Sequence, residues 1–357
     1  MAFTTINKSS LYHNTILYTD SGAVRTLTGV GFQPDFTWIK TRNHGNRHNV
    51  FDSVRGATKG LSTDKTDAEY TQADTLTAFT SDGFSLGADA SGYGVNYDNK
   101  NEVAWCWKAG TTSGIATNGS TTITPSAYSF NQTSGISIVK FAGNGTAGAK
   151  VAHGLGAVPE VIILKALSGT NSAANGWNMY HHTVGNTKYM LMNVTDNAAT
   201  ATNRWNDTTP DSVNFTLGSS DAVNVSDGNM VAYCFASVSG YSKMGSYVGN
   251  GNADGTFVYT GFKPAWIMFK GSSASGNHWQ IYDTKRNTFN VIDDLLRANQ
   301  SNAENTNDAN ESIDVVSNGF KCRGTSNNNN NHSGVTYIYM AFGQTMVSSG
   351  NICATAR

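Results

Sequence analysis

Charged side chains are scarce: 24 Lys and Arg against 25 Asp and Glu leave a formal net charge of −1, and only 14% of residues are charged. That balance removes the electrostatic case for a nucleic-acid partner, since affinity for phosphate chains comes mainly from clustered Lys and Arg. Lys40, Arg42 and Arg47, and again Lys285 and Arg286, sit among acids and polar residues and read as solvated loops. Cysteine is rare too. Cys106, Cys234, Cys322 and Cys353 show neither CxxC spacing nor a dense framework, which argues against a disulfide scaffold or a zinc site. No apolar run approaches the length of a membrane span, so no membrane insertion is expected. Met1 to Lys8 lacks the basic start and apolar core of a signal peptide, so synthesis in a cytoplasm is expected.

What is plentiful is turn chemistry and aromatic surface. The 357 residues include 37 Gly, 16 Phe, 15 Tyr and 7 Trp, with only 5 Pro. A disordered chain has few aromatics and high net charge, so this one is ordered, with many short strands between turns. It is long enough to bury two or three substantial cores.

One pattern occurs three times. Gly31-Phe32-Gln33-Pro34 leads to Lys40, Gly156-Ala157-Val158-Pro159 to Lys165, and Gly261-Phe262-Lys263-Pro264 to Lys270. Each Pro is followed by an apolar strand-like run ending in Lys at the sixth position. The prolines are separated by roughly the length of an autonomous domain, too far for a solenoid. The likeness continues outward. A Gly-rich turn follows Ile16 to Asp20, Ile138 to Ala142 and Tyr247-Val248; short strands are expected at 49–52, 178–181 and 280–283. The closing strands are Val103 to Trp107, Met230 to Phe235 and Thr336 to Phe342.

These strands predict an all-β protein of three tandem, diverged β-sandwich or jelly-roll-like domains. Repeat one, with an N-terminal arm, spans 1–110; a polar linker spans 111–134. Repeat two spans 135–240, and repeat three, with a C-terminal tail, spans 241–357. Ile292 to Ala298 could supply a helical turn or two, and Asn327 to Asn331 read as a mobile loop tip.

Little in the sequence points to catalysis. No nucleophile elbow and no HExxH motif occurs. The acidic pairs Asp293-Asp294 and Asp64 with Asp67 read as solvated loop residues. His181-His182 falls at a strand position where the other repeats carry Asp52 and Asp283, and successive strand side chains face opposite ways. His44 and His48 have helical ligand spacing in a probable loop, where it has no force. Cys106 and Cys234 occupy matching places in two repeats and read as inert buried thiols. No cofactor is expected. Asn250, Asn252 and Asp254 are weak calcium candidates, better explained as a β-turn. Aromatics beside polar loops, Tyr93, Tyr97, Trp177, Trp205 and Trp279, are candidates for surface recognition of carbohydrate, whereas Trp38, Trp105, Trp107 and Trp266 read as core.

Thr28 to Lys40, Val50-Phe51-Asp52-Ser53-Val54-Arg55-Gly56-Ala57, Ser81 to Gly87 and Val103 to Gly110 resemble a recurrent module of marine and cyanobacterial tailed-phage structural proteins. Repeats two and three are similar to it as diverged copies; repeat two departs at Ala157-Val158 and at His181. The resemblance implies a non-enzymatic virion protein on the particle exterior, a tail fibre or appendage that contacts the host surface. Its implied partners are other virion proteins, further copies of the chain and host-surface carbohydrate. A capsid decoration protein is the alternative, and a carbohydrate-active enzyme the third.

Overall fold

The three repeats share the order of their principal strands, and repeat two adds two short helices, Thr202–Trp205 and Asp221–Asn224. The computed structural model describes residues 4–97, 99–172, 174–324 and 329–345. Repeat one holds β1 (His13–Thr19), β2 (Arg25–Leu27), β3 (Phe36–Thr41), β4 (Asn49–Asp52), β5 (Lys59–Ser62), β6 (Tyr70–Thr71), β7 (Leu76–Thr80), β8 (Gly83–Leu86) and β9 (Asn101–Trp107). β10 (Ala127–Asn131) precedes repeat two, with β11 (Ile136–Ala142), β12 (Ala149–Ala152), β13 (Val161–Ala166), β14 (Asn178–His181), β15 (Lys188–Leu191), β16 (Ala199–Thr200), β17 (Asn214–Leu217) and β18 (Asn229–Phe235). Repeat three follows with β19 (Ser242–Val248), β20 (Phe257–Tyr259), β21 (Phe262–Gly271), β22 (Gln280–Asp283), β23 (Leu296–Arg297), β24 (Ile313–Val316), β25 (Gly319–Cys322) and β26 (Thr336–Thr345).

The strands form three large antiparallel sheets, ordered β1-β9-β3-β4-β5-β6, β10-β11-β18-β13-β14-β15-β16 and β19-β26-β21-β22-β23, and three small ones, β2-β8-β7, β12-β17 and β20-β25-β24. In each large sheet the closing strand lies between the opening strand and the Pro-led strand. Trp38 thus faces Trp105, Ile163 faces Tyr233 and Met268 faces Met340.

Strand alternation assigns the layers. Counting from each Pro, the even positions Phe36 and Trp38, Val161 and Ile163, and Trp266 and Met268 all enter a single apolar cluster fed by all three repeats. The odd positions turn outward, where each large sheet packs on its own small sheet. Ile39, Ala104 and Cys106 meet Leu27, Phe84 and Leu86 in repeat one; separate clusters do the same in repeats two and three. Burial on both faces explains why the runs before the lysines are apolar almost without interruption.

Several expectations need correction. The segment 111–134 is not a free linker: Ala127 to Asn131 add to the edge of β11, Thr111 bridges Phe130, and Ile123 donates its N–H to the Lys150 carbonyl at 2.9 Å. Its polar composition hid an added strand whose backbone does the bonding. Pro264 lies inside β21 rather than at its mouth, tolerated at a bulge between Pro264 and Trp266. Ile292 to Ala298 are extended, with Ile292 bridging Ile313 and Leu295 bridging Asn305, because long-range pairing outweighs local helical preference.

Candidate functional site

The repeated lysines are the strongest sequence signal, and the structure makes them clamps between repeats. Sixth after Pro is an even position, so each Lys continues the inward-facing row beyond the apolar cluster. Lys40, Lys165 and Lys270 are fully buried. Lys40 Nζ donates to the carbonyls of Thr41 (2.7 Å) and His44 (3.4 Å) in its own repeat and of Ser301 (3.3 Å) in repeat three. Lys165 Nζ reaches Ser172 (2.9 Å) and Asn175 (2.7 Å), and Thr66 (2.9 Å) of repeat one. Lys270 Nζ reaches Asn277, and Thr195 (2.8 Å) of repeat two. Each repeat therefore grips the arm of the one before it, and Lys40 closes the circle. Burial depresses Lys40 and Lys165 to about 8 and Lys270 to about 7.

Other contacts repeat the same cycle. The N–H groups of Glu69, Ala198 and Glu304 donate to the carbonyls of Leu167, Ser272 and Arg42, each in the following repeat. Trp177 donates its indole N–H to Ser62 O of repeat one (2.8 Å) and Trp279 to Leu191 O of repeat two (3.0 Å). His48 holds the matching place in repeat one, where its Nδ1 accepts from Trp38 Nε1 at 3.0 Å.

Buried ion pairs add a third set. Asp52 pairs with Arg55 and Asp283 with Arg286, all four side chains fully buried. Asp52 also accepts from the Tyr233 hydroxyl of repeat two (2.7 Å), and Asp283 from Trp105 Nε1 of repeat one (2.9 Å). Burial is the largest influence on the Asp283 carboxyl and alone would raise it; the Arg286 charge together with hydrogen bonds from Arg286 and Trp105 holds the group below the usual carboxylate range. In repeat two the Arg position is Val184. A buried carboxylate without its cation is costly, and His181 replaces it as an imidazole that burial drives down to about 3, neutral at pH 7.

A fourth repeated element escaped sequence reading. Asn96, Asn224 and Asn331 are fully buried clips across the first loop of each repeat. Their Oδ1 atoms accept from Ser21 N (3.1 Å), Asn144 N (2.8 Å) and Asn250 N (3.0 Å). Their Nδ2 groups donate to Gly87 O (2.6 Å), Gly218 O (3.2 Å) and Gly324 O (2.9 Å). Asn331, expected in a mobile tip, is thus pinned, because an Asn side chain supplies the donors and acceptor that three backbone groups need, and Asn330 beside it donates its Nδ2 to Ser312 O (3.2 Å). Asn327 lies outside the described residues.

The recognition candidates separate. Trp177, Trp205 and Trp279 are each 1% exposed and present no surface: the first and third seal seams, and Trp205 packs on Tyr180 in the outer core of repeat two. Their polar neighbours concealed apolar pockets. Tyr97 is 44% exposed. Tyr93 packs against Tyr70 with ring centres 4.6 Å apart and planes tilted by 39°, and the Arg47 guanidinium lies 4.9 Å from its ring centre, a half-buried arrangement in repeat one. Asn250, Asn252 and Asp254 have their side-chain oxygens engaged by the protein: Asn250 Oδ1 accepts from Asn252 N (3.0 Å) and Asn331 Nδ2 (3.0 Å), Asn252 Oδ1 from Asp254 N (2.9 Å), and Asp254 pairs with Lys321. Among the described residues no three His, Cys, Asp or Glu side chains gather as a metal site. Cys106, Cys234 and Cys322 are buried, and burial raises all three thiols; Cys353 lies outside the described residues.

The geometry defines a nearly all-β chain in which three diverged copies hold one another in a closed cycle of contacts around one shared core. The chain belongs to a family described as a domain of unknown function, DUF7483, whose match covers residues 8–345 and thus all three repeats as one unit. No curated protein matches it.

Proposed function

We propose that the protein is a non-enzymatic structural component of a phage particle, carried on the exterior as a tail-fibre-like appendage that contacts the host surface. The observation that carries this reading is the closed cycle itself. Three copies bound by buried clamps spend their most distinctive residues, Lys40, Lys165, Lys270, Trp177 and Trp279, on holding one another. Divergence is left to loops and seams, where a rigid scaffold tolerates variation and recognition is commonly placed. The resemblance of Thr28 to Lys40 and Val103 to Gly110 to a virion module supports the particle context. We read each repeat as a diverged β-sandwich, and further copies of the chain as partners that give weak sites avidity.

Gold-labelled antibody against the purified chain, applied to intact virions of a phage encoding it, should mark the tail, and the purified chain should compete with the phage for host cells. Particles without label overturn the reading. One feature favours a second reading, capsid decoration: a closed cycle of three copies suits a threefold position on an icosahedral shell. Label spread over the head at a copy number set by shell symmetry would establish it instead.

A further inference from the structure

The seams are not equivalent, and the difference isolates a site. Asp35, Glu160 and Ala265 each follow the repeated Pro and face the start of the next repeat. At the first seam Asp35 is fully engaged: its Oδ1 accepts from Ser53 Oγ (2.6 Å) and Ser129 Oγ (3.1 Å), and its Oδ2 from Ala109 N (2.8 Å). Ser129 belongs to the added strand β10, whose next residue, Phe130, lays its ring over Gly154, so close that a Cβ there would lie 2.8 Å from it. Gln132 closes the seam with a bond to Gly154 O (3.0 Å). The chain has filled this seam with a hydroxyl for the carboxylate and an apolar ring.

Among the described residues no strand like β10 fills the second seam, where Ala236 to Tyr241 connect β18 to β19. A cleft of about 510 Å³ remains there, bounded by Glu160, His182, Lys243 and Tyr259. Tyr259 ends β20 at the register position that Ala152 holds in repeat two, its ring lies beside Gly261, and it is 50% exposed. Lys243 Nζ donates to Tyr259 O (2.8 Å), as Gln132 does to Gly154 O, and lies 5.3 Å from the Tyr259 ring centre. The Glu160 side chain is 29% exposed and takes a hydroxyl bond from Ser237; His182, 39% exposed, bonds Met244 O (3.1 Å). At the third seam the carboxylate position is Ala265.

We propose that this cleft between repeats two and three binds a saccharide. The cleft sets the half-exposed ring of Tyr259 beside the part-exposed carboxylate of Glu160 and the ammonium of Lys243. A sugar ring complements them in one rigid body, hydroxyls for Glu160 and a C–H face for Tyr259, while Lys243 can donate to a ring or hydroxyl oxygen. The site rests on the host-contact reading above and gives it a ligand class and a place, distinct from the loop of Tyr93 and Tyr97.

Ligand-observed NMR and calorimetry on the full chain, with glucose, galactose, N-acetylglucosamine and their soluble oligomers, test it. At least one should bind, and Tyr259→Ala and Glu160→Gln should each weaken that binding by about tenfold or more, while Tyr97→Ala leaves it unchanged. Tyr259 is half exposed, so its variant should keep the native melting temperature, which separates loss of binding from loss of fold. Failure of every sugar to bind, or undiminished binding by Tyr259→Ala, overturns the proposal. A synthetic peptide of residues 125–133 that binds where sugars do not overturns it in favour of an added strand. Label on the tail with no sugar bound removes this site and leaves the appendage reading; sugar binding by a chain missing from particles does the reverse.

Discussion

Lys165→Met keeps the aliphatic stem of the clamp and deletes its ammonium. Three carbonyls, of buried Ser172 and of half-buried Thr66 and Asn175, then lose their donor. Each orphaned acceptor costs about 1–3 kcal/mol. Release from holding a desolvated ammonium offsets part of this, and a net loss of about 3–5 kcal/mol is typical when one partner of a buried charged contact is removed. If the three repeats melt as one unit, an unfolding entropy of roughly 2.1 cal/mol/K per residue over 357 residues makes about 0.75 kcal/mol/K, so the melting temperature should fall by about 4–7 °C. Calorimetry should show a single transition moved down. Hydrogen exchange should quicken at the Glu69 amide in repeat one, which donates to Leu167 O at 3.3 Å. The exposed Lys188→Met is the control. An unchanged melting temperature, or exchange that rises only within repeat two, would refute the clamp across the seam.

Tyr233→Phe removes the hydroxyl that bonds Asp52 across the first seam at 2.7 Å; a loss of about 1–3 kcal/mol is expected in urea denaturation, and no loss would mean the contact carries no stability. Asn331→Ala unties the clip of repeat three at four bonds and should cost about 2–4 kcal/mol, read by the same denaturation midpoint. Trp177→Phe should lower stability by about 1–2 kcal/mol through the lost bond to Ser62 O, whereas Tyr97→Ala should stay within about 0.5 kcal/mol of native. Asp20 and Glu102 lie buried together in repeat one; burial raises Asp20 to about 7 and lifts Glu102 well above its ordinary value. Between about pH 4 and pH 7 the folded state holds a proton that the unfolded chain releases, so stability should fall as pH rises through that window. Asp20→Asn should flatten that slope, and a slope unchanged in the variant would assign it elsewhere.

The strands were largely legible because alternation and turn residues are local signals. The run after each Pro, expected at 35–40, 160–165 and 265–270, lies within or one residue from β3, β13 and β21, and the closing strands match β9, β18 and β26. The recognition residues were read less well. Trp177 and Trp279 have polar neighbours in sequence, but each ring enters a pocket completed by another repeat. Strand β10 was missed for the complementary reason: its bonding partner, β11, is a property of the backbone and not of its Ser, Asn and Thr side chains.

By itself the sequence determined that the chain is all-β, threefold repeated, low in charge, and marked by Lys sixth after each Pro. Composition, period-two alternation and repetition are properties of the chain that require no knowledge of what lies across from what. Only the tertiary structure decided that the three units are not beads on a string. The inward faces must find apolar partners and the buried ammonium groups must find carbonyls, and the three repeats supply both to one another. It also decided which seam the chain fills for itself and which, between Glu160 and Tyr259, it leaves open.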